Sequence, residues 1–177
     1  MKEHDDYDDI DHSATPKGMP TWAIVLLVLA VPCVAIVPCS IIAAIAVPNL
    51  IEARKQGNEA AAIGSLRAIS TAQTIYRESD ADGDGVMNYG DLKALGKADY
   101  VDAVLASGRK QGFVFQSQPV QGQEELRWWA TAFPRDINTG NRWFYVDQTG
   151  VIRFAMEPFT VDPKTGQPDK PLTALGG

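Results

Sequence analysis

Apolar positions fall along this chain in three different patterns. The first is continuous: from Trp22 to Val47 the only conventionally polar side chain is Ser40. As a straight helix those roughly 26 residues would measure ~39 Å, longer than a hydrocarbon core of about 30 Å. A cleaved secretory signal carries an apolar core of only about 7 to 15 residues, so the run predicts a retained transmembrane helix over 22–47. Pro32 and Pro38 each remove a backbone donor and predict a kink within it. The second pattern is helical: Ile63, Leu66, Ile69, Ala72 and Tyr76 recur at spacings of three and four within a segment rich in Ala, Glu, Arg, Lys and Gln. One long helix that leaves the bilayer and lays this stripe on a core accounts for both. Gly57 and Gly64 weaken that helix locally without forbidding it.

The third pattern has the short period of strands. Phe113 to Gln118, Leu126 to Ala132, Arg142 to Asp147 and Val151 to Ala155 are β-branched or aromatic runs separated by Gly, Pro, Asn and Asp. They predict a four-stranded antiparallel meander, its last hairpin turning at Asp147-Gln148-Thr149-Gly150. Beyond Pro158 no apolar period survives among Pro163, Pro168, Pro171, Gly166, Gly176 and Gly177, and residues 158–177 read as an irregular tail. The expected fold class is α+β: a long N-terminal transmembrane-plus-amphipathic helix packed on a small antiparallel sheet in a domain over 48–157.

Charge alters the picture at the start of the chain. Of the formal net charge of −6, residues 1–21 carry −4, from Glu3, Asp5, Asp6, Asp8, Asp9 and Asp11 against Lys2 and Lys17. With almost nothing apolar to bury, 1–21 reads as a disordered acidic tail. The remainder is close to neutral, so no nucleic-acid partner is expected. Cys33 and Cys39 both lie in the apolar run and cannot staple the soluble domain. Both histidines, His4 and His12, precede that run, which leaves the folded domain without an imidazole for a catalytic triad or a zinc site. Trp128, Trp129, Trp143, Phe144 and Tyr145 would serve either as core or as a stacking platform for sugars or bases; strand alternation favours core.

One segment carries explicit chemistry. Asp80-Ala81-Asp82-Gly83-Asp84-Gly85-Val86-Met87-Asn88-Tyr89-Gly90-Asp91 places carboxylates at loop positions one, three and five, and Gly at six. The Val86 carbonyl stands at seven, Asn88 at nine and a carboxylate, Asp91, at twelve. A hard cation needs six or more oxygens around it, and this spacing folds them inward, predicting one structural Ca²⁺ held by Asp80, Asp82, Asp84, Val86, Asn88 and Asp91. Asp91 has a shorter arm than the usual Glu, which points to a weak site. The segment through Leu95 also resembles a dockerin-type calcium loop, present once rather than twice.

The block Ile41-Ile42-Ala43-Ala44-Ile45-Ala46-Val47-Pro48-Asn49-Leu50 resembles the end of the hydrophobic helix of type IV pilins and type II secretion pseudopilins. Residues 57–73 look like the amphipathic half of that family's first helix, and Gly112 to Phe115 and Trp143 to Arg153 look like its strands. The resemblance spans about residues 41 to 155 and implies a non-enzymatic structural or interaction protein of the bacterial inner membrane. It places the N-terminus in the cytoplasm and the C-terminal domain in the periplasm, with the lipid bilayer and other pilin-like subunits or secretion machinery as partners. Lys17-Gly18-Met19 imitates the family's processing site, but Ala23 stands where an acid belongs, so an uncleaved anchor is expected ahead of a working pseudopilin subunit. A membrane-tethered ligand-binding or enzymatic domain is the third alternative.

Overall fold

The computed structural model describes the backbone of residues 18–176, and the side chains of these except residues 27–46. The chain divides at Val47/Pro48 into two units. In the first, the backbone is helical from Thr21 onward as part of α1 (Thr21–Glu78). Among the described residues no helix is long and apolar enough to cross a membrane. The side chains of residues 27–46, most of the predicted span over 22–47, and the whole of residues 1–17 of the predicted acidic tail lie outside what is described.

The second unit, Pro48–Gly177, is an α+β domain. Its part of α1 buries Ala62, Leu66, Ile69, Ala72 and Tyr76, which recur every three to four residues as a core-facing stripe requires. Ala62 takes the place expected of Ile63, which is only half-buried. Two short helices follow, α2 (Leu92–Lys97) and α3 (Ala103–Ala106), each started by an aspartate whose carboxylate accepts an orphan helix N–H. Asp91 accepts from Ala94 N at 2.7 Å and Asp102 from Leu105 N at 3.0 Å.

The sheet is a six-stranded antiparallel meander in chain order: β1 (Arg109–Lys110), β2 (Phe113–Pro119), β3 (Trp128–Pro134), β4 (Trp143–Asp147), β5 (Arg153–Ala155) and β6 (Thr173–Ala174). The four middle strands are those the alternation predicted. Between β4 and β5 the chain turns through Gly150 at φ 70°, a conformation that glycine adopts without a Cβ clash.

Strand alternation sorts the aromatic residues onto two faces. Phe113, Phe115, Trp128, Ala130, Ala132, Phe144 and Val146 form one core with the α1 stripe, Leu95 and Leu105. Trp129 and Tyr145 point the other way and form a second core with Val120 and Phe159. Each large apolar side chain so buried contributes about 1.5 to 3 kcal/mol relative to exposure.

Residues 158–177, expected to be an irregular tail, have little regular structure but pack on the sheet through the second core. Phe159 is buried on the sheet, Val161 pairs with Pro168, and Thr173 and Ala174 add a sixth strand. The Tyr145 hydroxyl donates to Gly166 O at 2.6 Å. This segment covers an apolar sheet face that the four-stranded meander would have left in water, so the domain runs past residue 157. Of the five aromatic residues weighed as core or stacking platform, Trp128, Trp129, Phe144 and Tyr145 are buried and Trp143 is half-buried.

Candidate metal centre in the acidic loop

The loop begins where α1 ends. Asp80 takes φ 45° directly after the last turn, and Gly83 and Gly85 take φ 71° and 82°, so the chain reverses tightly through three left-handed positions. Hydrogen bonds within the loop hold the reversal. Asp80 O accepts from Gly83 N at 2.9 Å, Asp80 Oδ2 from Gly85 N at 3.1 Å, and Asp84 Oδ1 from Val86 N at 2.7 Å.

The outcome is that one oxygen from each of Asp80, Asp82 and Asp84 lies within 4.8 Å of the others. Two oxygens bound to one Ca²⁺ at ~2.4 Å cannot stand more than ~4.8 Å apart, so the three carboxylates fit a shared hard cation. Without one, each pair of unit charges at that separation repels by about 1 kcal/mol even at the dielectric of water. Asp80 Oδ1 is buried and has no hydrogen-bond partner among the described residues, an acceptor suited to a cation. Asp82 and Asp84 are exposed, which keeps the centre open to solvent.

Of the other predicted ligands, Asn88 lies beside the cluster, its Nδ2 donating to Asp84 Oδ2 at 3.5 Å. The Val86 carbonyl accepts from Asn88 N at 2.9 Å and keeps a second lone pair. Asp91 is not brought into the carboxylate cluster. Its Oδ1 is engaged as the cap of α2, leaving Oδ2 as the oxygen not used in capping.

Residues with no place in the motif hold the loop against the sheet. Gln73, 0% exposed, donates through Nε2 to Gly90 O at 2.7 Å and to Ser117 Oγ at 2.9 Å, and accepts from Gly90 N at 3.1 Å. One amide thereby joins α1, the exit of the acidic loop and β2. The Tyr76 hydroxyl points to Asp82 Oδ2 at 3.5 Å. Its pKa is raised, first by burial and then by the negative charge of Asp82, with Asp91 and Asp84 adding to it. Tyr76 thus stays a neutral hydroxyl beside the carboxylates. A sequence signal for Gln73 exists: it sits in the core phase between Ile69 and Tyr76, where an amide must have partners.

A second polar residue in that phase is Glu59, also buried. Its carboxylate accepts from Asn141 N at 2.6 Å, Arg142 N at 3.2 Å and Arg142 Nε at 2.7 Å, fixing the β3–β4 loop to α1. No family model, curated protein or solved structure matches this chain.

Proposed function

We propose that the chain is a non-enzymatic, membrane-anchored structural or interaction protein of pilin-like build, in which one Ca²⁺ stabilises the C-terminal domain. The reading places the anchor in a bacterial inner membrane, with the N-terminus cytoplasmic and the domain periplasmic. What carries it is α1: a single helix, Thr21–Glu78, contains the apolar run in its first half and the core stripe in its second. The same helix opens directly onto the acidic loop, where three carboxylates converge within reach of one cation. No histidine follows residue 12, so the domain has no imidazole for a triad or a zinc site.

Fractionation of cells expressing the full chain tests the anchor. The protein should stay with membranes through alkaline carbonate, and protease added to spheroplasts should digest the domain after Pro48. Release by carbonate, or protection from external protease, would overturn the anchor or its orientation respectively.

A further inference from the structure

We propose that the β3–β4 loop, with the start of the domain's part of α1, is a docking surface for the headgroup layer of an anionic phospholipid bilayer. The inference rests on the membrane-anchored reading above. The loop is fixed beside residues 52–59 of α1. Asn141 Oδ1 accepts from Lys55 Nζ at 3.0 Å, Asn141 Nδ2 donates to Glu52 Oε1 at 3.1 Å, and Asn58 Nδ2 donates to Thr139 O at 3.1 Å. Glu52 follows Val47, the end of the proposed anchor, by five residues, a tether of at most about 18 Å, and headgroups occupy about 5 to 8 Å on each side of the hydrocarbon core.

Two kinds of side chain meet here. Ile137 is 82% exposed, Leu50 71% and Met156 62%, and Ile137 and Met156 line one cleft of about 600 Å³ with Lys55 and the half-buried Trp143. Single exposed apolar residues are ordinary, but apolar tips and an indole interleaved with cations mark interfacial surfaces. The cations are Lys55 and Arg135, which line this cleft, and Arg54, which lines a neighbouring cleft with Arg135; the acids beside them are Glu52, on Asn141, and Asp136. Asp136, the loop's own acid, spends Oδ1 on Asn138 N and Thr139 Oγ1, and meets Arg135 only at 3.6 Å in an exposed pair that binds weakly. The Arg135 side chain is 71% exposed and meets Asp136 only through Nε, so its terminal guanidinium nitrogens are open to a phosphate oxygen. The chemistry matches a lipid phosphate over Lys55 and Arg135, with Arg54 adding positive charge beside Arg135, and glycerol and upper acyl chain on Ile137 and Met156.

The test uses the full chain reconstituted into bilayer discs of phosphatidylcholine alone or mixed with phosphatidylglycerol. Ile137→p-benzoylphenylalanine is photoactivated, and intact mass is read for an added phospholipid. The same substitution at Met87, exposed in the acidic loop, is the control. A phosphatidylglycerol adduct at 137 and none at 87 is expected, with Arg135→Gln lowering the yield about fivefold. No adduct at 137, an equal adduct at 87, insensitivity to Arg135→Gln, or a dimer mass indicating a second copy would each overturn the proposal. If the chain never enters the discs, the anchoring reading falls as well. If it enters and 137 stays unlabelled, only the docking surface falls.

Discussion

Replacing Gln73 by leucine removes one buried amide at nearly constant volume and isolates what it does for the acidic loop. In the wild type its three hydrogen bonds satisfy Gly90 N, Gly90 O and the Ser117 hydroxyl, all in buried surroundings. Leucine leaves both backbone groups of Gly90 unpaired, at about 1 to 3 kcal/mol each, and returns part of that through a more apolar side chain. A net loss of about 3 kcal/mol follows, or roughly 12 °C in Tm for a domain of this size. Gln73→Glu supplies a second arm with a pH signature. A carboxyl buried there has its folded pKa raised by desolvation above the unfolded value near 4.3. The variant is then least impaired below pH ~4 and loses stability, relative to wild type, as pH rises through that window toward its raised folded pKa. Thermal melting of the full chain in detergent, across pH 4 to 8, reads both arms. A leucine variant melting within ~2 °C of wild type, or a Glu variant indifferent to pH, would refute the account of Gln73 as the tie between loop and sheet.

Calcium at about 100 times its Kd should stabilise the wild type by about 2.7 kcal/mol, and Asp80→Ala should remove most of that gain in a calorimetric melt. Unchanged midpoints with calcium would reduce the loop to a polar turn. Arg142→Met strands the buried Glu59 carboxylate and should cost about 3 kcal/mol by denaturant titration, whereas a loss below ~1 kcal/mol would mean that the Asn141 and Arg142 backbone amides suffice to hold it. Tyr145, whose pKa is raised chiefly by burial and next by the charge of Asp147, must stay neutral to remain in place. Its raised folded pKa contributes stability that is full below pH ~10 and lost as pH climbs beyond it; Tyr145→Phe should flatten that alkaline limb in circular dichroism, and an unchanged limb would assign it elsewhere. Intact mass of membrane-extracted protein should show no cut after Gly18, since Ala23 stands in place of the acid and Pro20 follows closely; a chain beginning at Met19 would refute this.

The legible parts of the fold were those with a period. Leu66, Ile69, Ala72 and Tyr76 announce their face at helical spacing, and the four middle strands announce theirs by alternation, because in both cases burial follows local geometry. The C-terminal segment was illegible for the complementary reason. Phe159, Val161 and Leu172 meet the second core from a chain without regular structure, so no spacing encodes their burial. Its edge strand, Thr173–Ala174, is too short to carry a pattern. In the acidic loop, residue type and spacing sufficed to bring Asp80, Asp82 and Asp84 together. The role of Asp91 was hidden because the same side chain serves two readings, a twelfth-position ligand and a helix cap, and the fold uses Oδ1 for the cap.

That double use bears on how a bound ion would be felt elsewhere. An ion drawing Oδ2 of Asp91 would pull on a residue whose other oxygen starts α2, so its grip there is limited by the cap it would disturb. The neighbour of Asp91 in the chain, Gly90, is held from the other side by Gln73, and a Cβ at that position would meet the Tyr76 ring at 3.1 Å. The loop's exit is therefore clamped whether or not an ion is present, and the freedom an ion would remove lies in Asp80 to Asn88. Calcium should then slow hydrogen exchange at Gly83, Gly85 and Val86, the amides bonded to Asp80 and Asp84, and leave the Gly90 amide unchanged. Protection that reached Gly90 and β2 would mean that the ion organises the exit as well, and that Gln73 only follows it.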